Sequence, residues 1–253
     1  MYIFAPVMET IKNRRSIRKY SNKDVPQELL DEILTLSERT QTMGNLQLYS
    51  VVVTRSDEKK RELAPAHFNQ PMVMGAPVVL TICADYNRTT RWCEERNATP
   101  GYGNLLSFMN AASDALLYTQ TLCTVAEARG LGICYLGTTL YNSGQIVDIL
   151  KLPRLVVPVA TITLGYPDEA PEQTDRLPLS AIVHNEEYCD YSSERIDAEY
   201  SYKESLEESK HFVEINNKET LAQIFTDIRY TKKDCEAFSA ALMKTLKKQG
   251  FVE

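Results

Sequence analysis

Residues 126–139 read Ala-Glu-Ala-Arg-Gly-Leu-Gly-Ile-Cys-Tyr-Leu-Gly-Thr-Thr, and their order decides the fold class. Upstream, residues 104–129 contain no glycine or proline, and small residues (Ala111, Ala112, Ala115, Ala126) alternate with leucines. That window predicts one long helix packed on several sides, with Gly130 as its natural stop. The apolar run Ile133 to Leu136 then predicts a strand. A dinucleotide-binding fingerprint needs the opposite order, a strand followed by G-x-G-x-x-G at the start of a helix. Here Gly130, Gly132 and Gly137 close a helix and open a strand, and the third glycine is spaced differently. No G-x-x-x-x-G-K-S/T stretch is present either, which disfavours both a Rossmann domain and a P-loop NTPase. Two readings of Gly137 stay open: a tight turn, or a backbone approached closely by a flat ligand.

Working outward, helix and strand patterns alternate. Helices are expected over Val7 to Asn13, Pro26 to about Thr40, Asp57 to Leu63, Arg88 to Asn97 and Ser143 to Leu150. Strands are expected over Leu48 to Thr54, Pro77 to Asp85 and Leu155 to Leu164, all rich in β-branched residues. No 20–50-residue repeat is visible. The pattern is mixed α and β around one central sheet. After Gly165 the character changes. Pro167, Pro171 and Pro178 punctuate a polar stretch, and Tyr188 to Tyr202 shows little apolar periodicity. Helical windows follow near Glu204 to Phe212 and Asp234 to Gln249. Residues 1–166 are read as the core, and 167–253 as an extension of the same domain that wraps the core or a partner subunit.

The chain has 253 residues, 25% charged and 43% hydrophobic, with net charge −6. These are ordinary globular values. Residues 1–166 carry 17 basic and 15 acidic side chains, residues 167–253 carry 11 and 19, so the acidity sits in the last third. A duplex nucleic-acid binder usually carries a strongly basic domain. The longest apolar stretches fall short of the roughly 20 residues that span a bilayer. The first residues lack the charge, apolar run and cleavage site of a secretory signal. Six cysteines occur with no C-x-x-C pair, which disfavours zinc ribbons and dithiol redox motifs. Cys83, Cys123 and Cys134 sit in apolar runs and read as core residues. The expected location is cytoplasmic, with no membrane and no nucleic acid as partner.

The sharpest chemical signal is Arg14-Arg15-Ser16-Ile17-Arg18. Guanidinium forks match phosphate oxygens and a hydroxyl adds a donor, so the cluster suits a phosphomonoester. A solvated basic patch or a nucleic-acid contact is the alternative from spacing alone. Hydrolytic chemistry is poorly supported. His67, His184 and His211 lie far apart without flanking motifs. No G-x-S-x-G elbow or H-E-x-x-H pair exists. No metal site is expected.

Taken in order, R-R-S-I-R-K-Y, a long helix ending G-L-G-I-C-Y-L-G, then K-L-P, T-L-G-Y-P and R-L-P-L-S-A-I-V-H-N-E-E-Y (Arg176 to Tyr188) resemble the FMN-dependent nitroreductase superfamily. The C-terminal part resembles its larger subgroup, which includes the oxygen-insensitive NADPH nitroreductases and the flavin reductases of luminous bacteria. The resemblance covers nearly the whole chain. It implies an α+β sandwich with a mostly antiparallel central sheet flanked by helices, a C-terminal helical extension, and a homodimer with FMN at the subunit interface. By position, Arg14, Arg15, Ser16 and Arg18 would hold the FMN phosphate and ribityl chain, with Arg176 returning to the phosphate. Thr42, Met43, Gly44 and Asn45 would border the ring, Asn45 on the side of the substrate or NAD(P)H. Gln70 would contact the flavin. Tyr135, Leu136, Gly137 and Thr138 would face the isoalloxazine, with the Gly137 N–H near N5.

The chain departs from that pattern in places. The Ser-rich loop of the subgroup is Gln41-Thr42-Met43-Gly44-Asn45, the second glycine of a usual pair is Thr138, and a Lys-Pro-Arg stretch reads Thr174-Asp175-Arg176. Lys218 is the best candidate for the 2′-phosphate of NADPH, with Lys203 and Lys210 weaker, so NADPH or NADH is expected as reductant. The implied activity is ping-pong transfer of two electrons from NAD(P)H, by way of bound FMN, to nitroaromatics, quinones or flavins. The bound cofactor would carry the chemistry, with no catalytic protein residue. The alternatives are a dedicated NAD(P)H:flavin reductase, a non-catalytic flavin-binding sensor and a nucleic-acid binder.

Overall fold

The computed structural model describes residues 7–253. Its elements are α1 (Val7–Lys12), α2 (Gln27–Ser37), β1 (Tyr49–Thr54), α3 (Asp57–Leu63), α4 (Pro71–Gly75), β2 (Val78–Asp85), α5 (Asn87–Glu94), α6 (Leu105–Ala128), β3 (Gly132–Leu136), α7 (Ser143–Leu150), β4 (Val156–Gly165), α8 (Ser193–Ser205), α9 (Glu207–Ile215), α10 (Leu221–Ile224) and α11 (Lys232–Gln249). One compact unit takes the chain through Glu172 and again from Phe238 to Glu253, and Gln173–Ala237 form a second.

In the first unit, β1, β2, β4 and β3 lie side by side in that order, every pair antiparallel. Every residue of β2 and β4 is buried, which is why both read as continuous apolar runs. Helices therefore have to cover both faces of the sheet. On one face α6 packs with α2 in a core that includes Leu30, Ile33, Leu80, Ile82, Leu122 and Ile162. On the other, smaller clusters gather Ala64, Val73, Cys134 and Leu136, and Leu63, Ala66 and Ile146. Pro158 falls where the register between β2 and β4 shifts, between Ile82 and Cys83. A proline has no N–H for a ladder, so a bulge is where an inner strand can hold one.

The long helix α6 is capped at its start by the Asn104 side chain, which accepts from the Ser107 N–H at 2.9 Å. Its buried face carries Phe108, Ala111, Ala115, Tyr118, Leu122 and Ala126 at helical spacing. Asp114 lies on that face, 2% exposed. Its two oxygens accept from the backbone N–H of Met43 (2.8 Å) and Leu48 (3.1 Å), tying the loop before β1 to the helix. The end of α11 also joins this unit. The Gln249 side chain donates to Pro153 O (2.7 Å) and Val156 O (2.6 Å), and Phe251 is buried against Phe108.

The second unit corrects one expectation. Helix was expected only after the segment Tyr188 to Tyr202, which shows little apolar periodicity, but α8 already occupies Ser193–Ser205. Ser192 caps it by accepting from the Arg195 N–H at 3.2 Å, and Arg195 and Glu199 approach at 3.9 Å along its surface. Caps and i,i+4 charge pairs support a helix that has no apolar stripe. The single window expected near Glu204 is split, since Leu206 takes extended backbone between α8 and α9. Among the described residues no helix is long and apolar enough to cross a membrane.

Asp114→Ala leaves two backbone donors without their partner. The variant is expected to lose about 2–4 kcal/mol of stability, read by urea denaturation; a loss under about 0.5 kcal/mol would mean that the loop does not depend on this carboxylate.

Candidate functional site

The arginine-rich segment is fastened to the open edge of β3. Ser16 forms a parallel bridge with Ile133, and the Ile17 N–H donates to Ile133 O at 2.8 Å. Ile17 turns inward and lies over Gly132, where an added Cβ would come within 2.7 Å of it. With Ile17 inside, Arg18 is exposed and Arg14, Arg15 and Ser16 are half-buried. Tyr20 fixes the end of the segment, its hydroxyl donating to Ile17 O at 2.7 Å and meeting Thr163 Oγ1 at 2.7 Å.

A cavity of about 330 Å³ opens beside the cluster, lined by Asn13, Arg14, Arg15, Glu127, Gly130 and Glu169 among others. Three carboxylates, those of Glu9, Glu127 and Glu169, line it together with the arginines, which the sequence reading did not anticipate. Arg14 Nε lies 3.8 Å from Glu127 at the end of α6. Burial of the Glu127 side chain, 12% exposed, pushes its carboxyl up to about 7, against the opposing pull of Arg14. Glu169 accepts from the backbone N–H of Arg18 (2.5 Å) and Lys19 (3.0 Å), and these bonds hold its carboxyl below the usual range. Arg15 donates to Pro171 O at 3.1 Å and Asn13 O at 3.3 Å.

At the other end of β3 the chain leaves the sheet at Gly137. Tyr135 is 41% exposed and Gly137 is exposed, whereas the side chains of Leu136 and Thr138 are buried. Leu136 and Thr138 can thus offer a ligand only their backbone. Gly137 does not adopt the left-handed φ that calls for glycine, and an added Cβ would meet nothing within 4 Å among the described residues. Neither its own backbone nor its neighbours require a glycine there. Close approach of something outside the chain would require one.

Two further segments carry residues expected near the ring. Thr42 to Asn45 form an extended residue and a tight turn, with Gly44 and Asn45 at φ +55° and +56°, held by Asp114. Gln70 is half-buried at the start of α4, after Phe68 and Asn69, both at φ +53°. That segment touches the Gly137 turn through His67, whose Nδ1 lies 2.8 Å from Thr138 Oγ1. Asp114 and His67 are the residues the sequence reading missed. A carboxylate on the apolar face of a helix was a readable signal for Asp114; a histidine without a motif gave none.

Arg176 and Lys218 belong to the second unit. The Arg176 guanidinium donates to Thr174 O, Thr174 Oγ1 and Asp175 O within its own segment. Lys218 pairs with Asp227 at 2.9 Å, Lys203 with Asp175 at 2.9 Å and Lys210 with Glu207 at 2.8 Å. Each lysine considered for a 2′-phosphate is engaged by a carboxylate.

The donor set fits FMN. Arg14, Arg15, Ser16 and Arg18 stand at the first end of β3, and four residues of strand, about 13 Å, separate Ile133 from the open Gly137. An anionic head and a flat ring at opposite ends of one ligand would meet these two features.

The model of the Nitroreductase family matches residues 11–71 and 64–166. An FMN reductase (NADPH) of Bacillus subtilis (strain 168) is 32% identical over 183 residues, 72% of this chain and 74% of that protein. An FMN reductase (NAD(P)H) of the same strain is 29% identical over 250 residues, 97% of each protein. A crystal structure of a protein from Bacteroides fragilis NCTC 9343 is 61% identical with a TM-score of 0.96, covering 97% of this chain and 100% of that chain.

Gly137→Ala is expected to leave the melting temperature of the apoprotein unchanged, because the methyl group meets no atom, and to weaken FMN binding about tenfold or more. Equal loss of stability and affinity would mean that the glycine serves the fold. Glu127 gives a pH prediction. Its folded-state pKa of about 7 lies above the unfolded carboxylate value, so between roughly pH 4.3 and 7 the folded state holds a proton that the unfolded state has lost. Stability therefore falls as pH rises through that window. Glu127→Gln should melt like the wild type at pH 5 and above it at pH 8, and equal melting temperatures at both would place the carboxyl in water.

Proposed function

The chain belongs to the nitroreductase family, and from that premise we propose that it moves two electrons from NAD(P)H, by way of bound FMN, to small planar acceptors such as nitroaromatics, quinones or free flavins. It is an FMN-dependent NAD(P)H oxidoreductase, like relatives named FMN reductase, oxygen-insensitive NADPH nitroreductase and NADPH-flavin oxidoreductase. The observation that carries this reading is the phosphate-type donor cluster and the open Gly137 on one short strand. FMN, when bound, supplies reversible two-electron chemistry at its ring, which no side chain offers.

In this reading Arg14, Arg15, Ser16 and Arg18 bind the phosphate and ribityl chain. Glu127, about half protonated at pH 7, competes only in part with an anion for Arg14. Gly137 lets the backbone approach the ring, Tyr135 offers its exposed face, and Gln70 and the loop Thr42 to Asn45 border the ring. Asn45 contacts the reductant or acceptor. Residues 1–166 form the FMN-binding core and 167–253 its extension. The dedicated flavin reductase is kept as a second reading because two relatives carry that name. We place the enzyme in the cytoplasm, where its six unpaired cysteines stay reduced.

The outer surface of α6 supports a homodimer. With one face in the core, the helix still leaves Leu105, Leu106, Met109, Leu116 and Leu117 exposed, Leu106 at 70%. Exposed apolar side chains clustered on one helix mark a surface to be covered. Leu106→Glu combined with Leu117→Glu is expected to turn a dimer into a monomer by light scattering; a wild-type monomer at micromolar concentration would remove the assignment.

The deciding experiment is an absorption spectrum of the FMN-loaded protein before and after anaerobic NADPH, then NADH. Bleaching of the flavin bands, followed by recovery with a nitrofuran or free FMN and parallel double-reciprocal lines, is the expected result. The ratio of kcat/KM for free FMN and nitrofuran separates the two readings. Bands that persist with both nucleotides would turn the assignment toward a sensor, and failure to take up FMN would overturn it.

A further inference from the structure

His67 has no part in the function set out above, yet it is the most deeply placed histidine of the chain. It ends a single turn of helix over Ala64–His67 and is fully buried. Its Nδ1 lies 2.8 Å from Thr138 Oγ1, and Thr138 is itself 8% exposed. Its Nε2 has no hydrogen-bond partner among the described residues. Burial holds the ring's pKa down at about 4, so the imidazole is neutral at neutral pH and bonds as a neutral group. A second tie closes the same seam, the Asn142 side chain donating to Ala66 O at 2.9 Å.

A buried imidazole with one nitrogen unpartnered is an expensive way to fill space. An apolar side chain would fill it at lower cost, so the polar contact has to specify something that packing does not. What it specifies lies next to it in both directions. Thr138 follows the open Gly137, and His67 is followed by the two left-handed residues Phe68 and Asn69 and then by Gln70. The pair thus joins the two segments that border the ring end of the site.

We propose that His67 is a positioning residue: through its hydrogen bond to Thr138 it fixes the backbone at Gly137 and Thr138 in the orientation that meets the flavin ring. The inference rests on the placing of the flavin against Gly137 given under Proposed function. It does not make His67 an acid, a base or a ligand contact.

The test uses the full chain titrated with FMN, reading the dissociation constant by fluorescence and the visible bands of the bound flavin, with melting of the apoprotein alongside. In His67→Asn the amide reaches the Nδ1 position and keeps a partner for Thr138; in His67→Gln it reaches the Nε2 position and does not. His67→Gln is expected to weaken FMN about tenfold and to shift the flavin bands, while His67→Asn stays within about twofold of wild type. Thr138→Val should reproduce His67→Gln, and the double variant should be no worse than Thr138→Val alone, because the two act through one bond. The proposal is overturned if His67→Gln lowers only the apoprotein melting temperature while Thr138→Val moves the affinity and the bands. If Thr138→Val and Gly137→Ala both leave affinity and bands at wild-type values, the flavin placement itself fails, and the proposal with it. Should His67→Gln not fold, Thr138→Ser against Thr138→Val carries the same comparison, since serine keeps the hydroxyl.

Discussion

The candidate site depends on one contact, the seating of Ile17 over Gly132 beside the bridge from Ser16 to Ile133. A methyl group at position 132 would collide with Ile17 at 2.7 Å. Without that seat the arginine segment would have no reason to follow the edge of β3. Because Ile17 turns inward, extended geometry sends its neighbours outward. The same contact that adds apolar burial therefore fixes which way the guanidiniums and the Ser16 hydroxyl face. Packing and donor geometry are here one constraint.

Around that seat, buried polar groups do the locating. Asp114 holds the Met43 loop by two backbone donors, Thr138 meets His67, and the Gln249 amide draws the C-terminal residues onto the start of β4. Each is a directional bond where apolar contact alone would allow sliding. The electrostatics are balanced rather than simply basic. Glu127 and Glu169 line the cavity with Arg14 and Arg15, and burial raises the Glu127 carboxyl to about 7. A phosphate-type ligand would enter a site whose cations are already oriented by nearby carboxylates and carbonyls, so less ordering remains to be done on binding.

The sequence was informative where a pattern is local. Asp57–Leu63 and Ser143–Leu150 form helices at the expected residues, and the long helix and the four strands lie within a residue or two of the ranges read from periodicity. Apolar spacing and glycine stops act within a few residues of themselves, so they survive folding unchanged. The reading failed where support is not apolar. Helix α8 has no stripe to read, and its Ser192 cap and Arg195–Glu199 pair carry no hydrophobic period.

What the sequence by itself determined is the class of fold, the arginine cluster and the glycine-bearing strand, because each is written in adjacent residues. Only the tertiary structure decided that Leu136 and Thr138 face inward, that Glu127 and Glu169 share the arginine cavity, that His67 meets Thr138 and that Asp114 holds the Met43 loop. Those facts depend on partners far along the chain, 71 residues away in the case of both the His67–Thr138 and Met43–Asp114 bonds. Hydrogen-bond partners at that separation leave no periodicity in either segment, and they become visible only when packing has brought the two together.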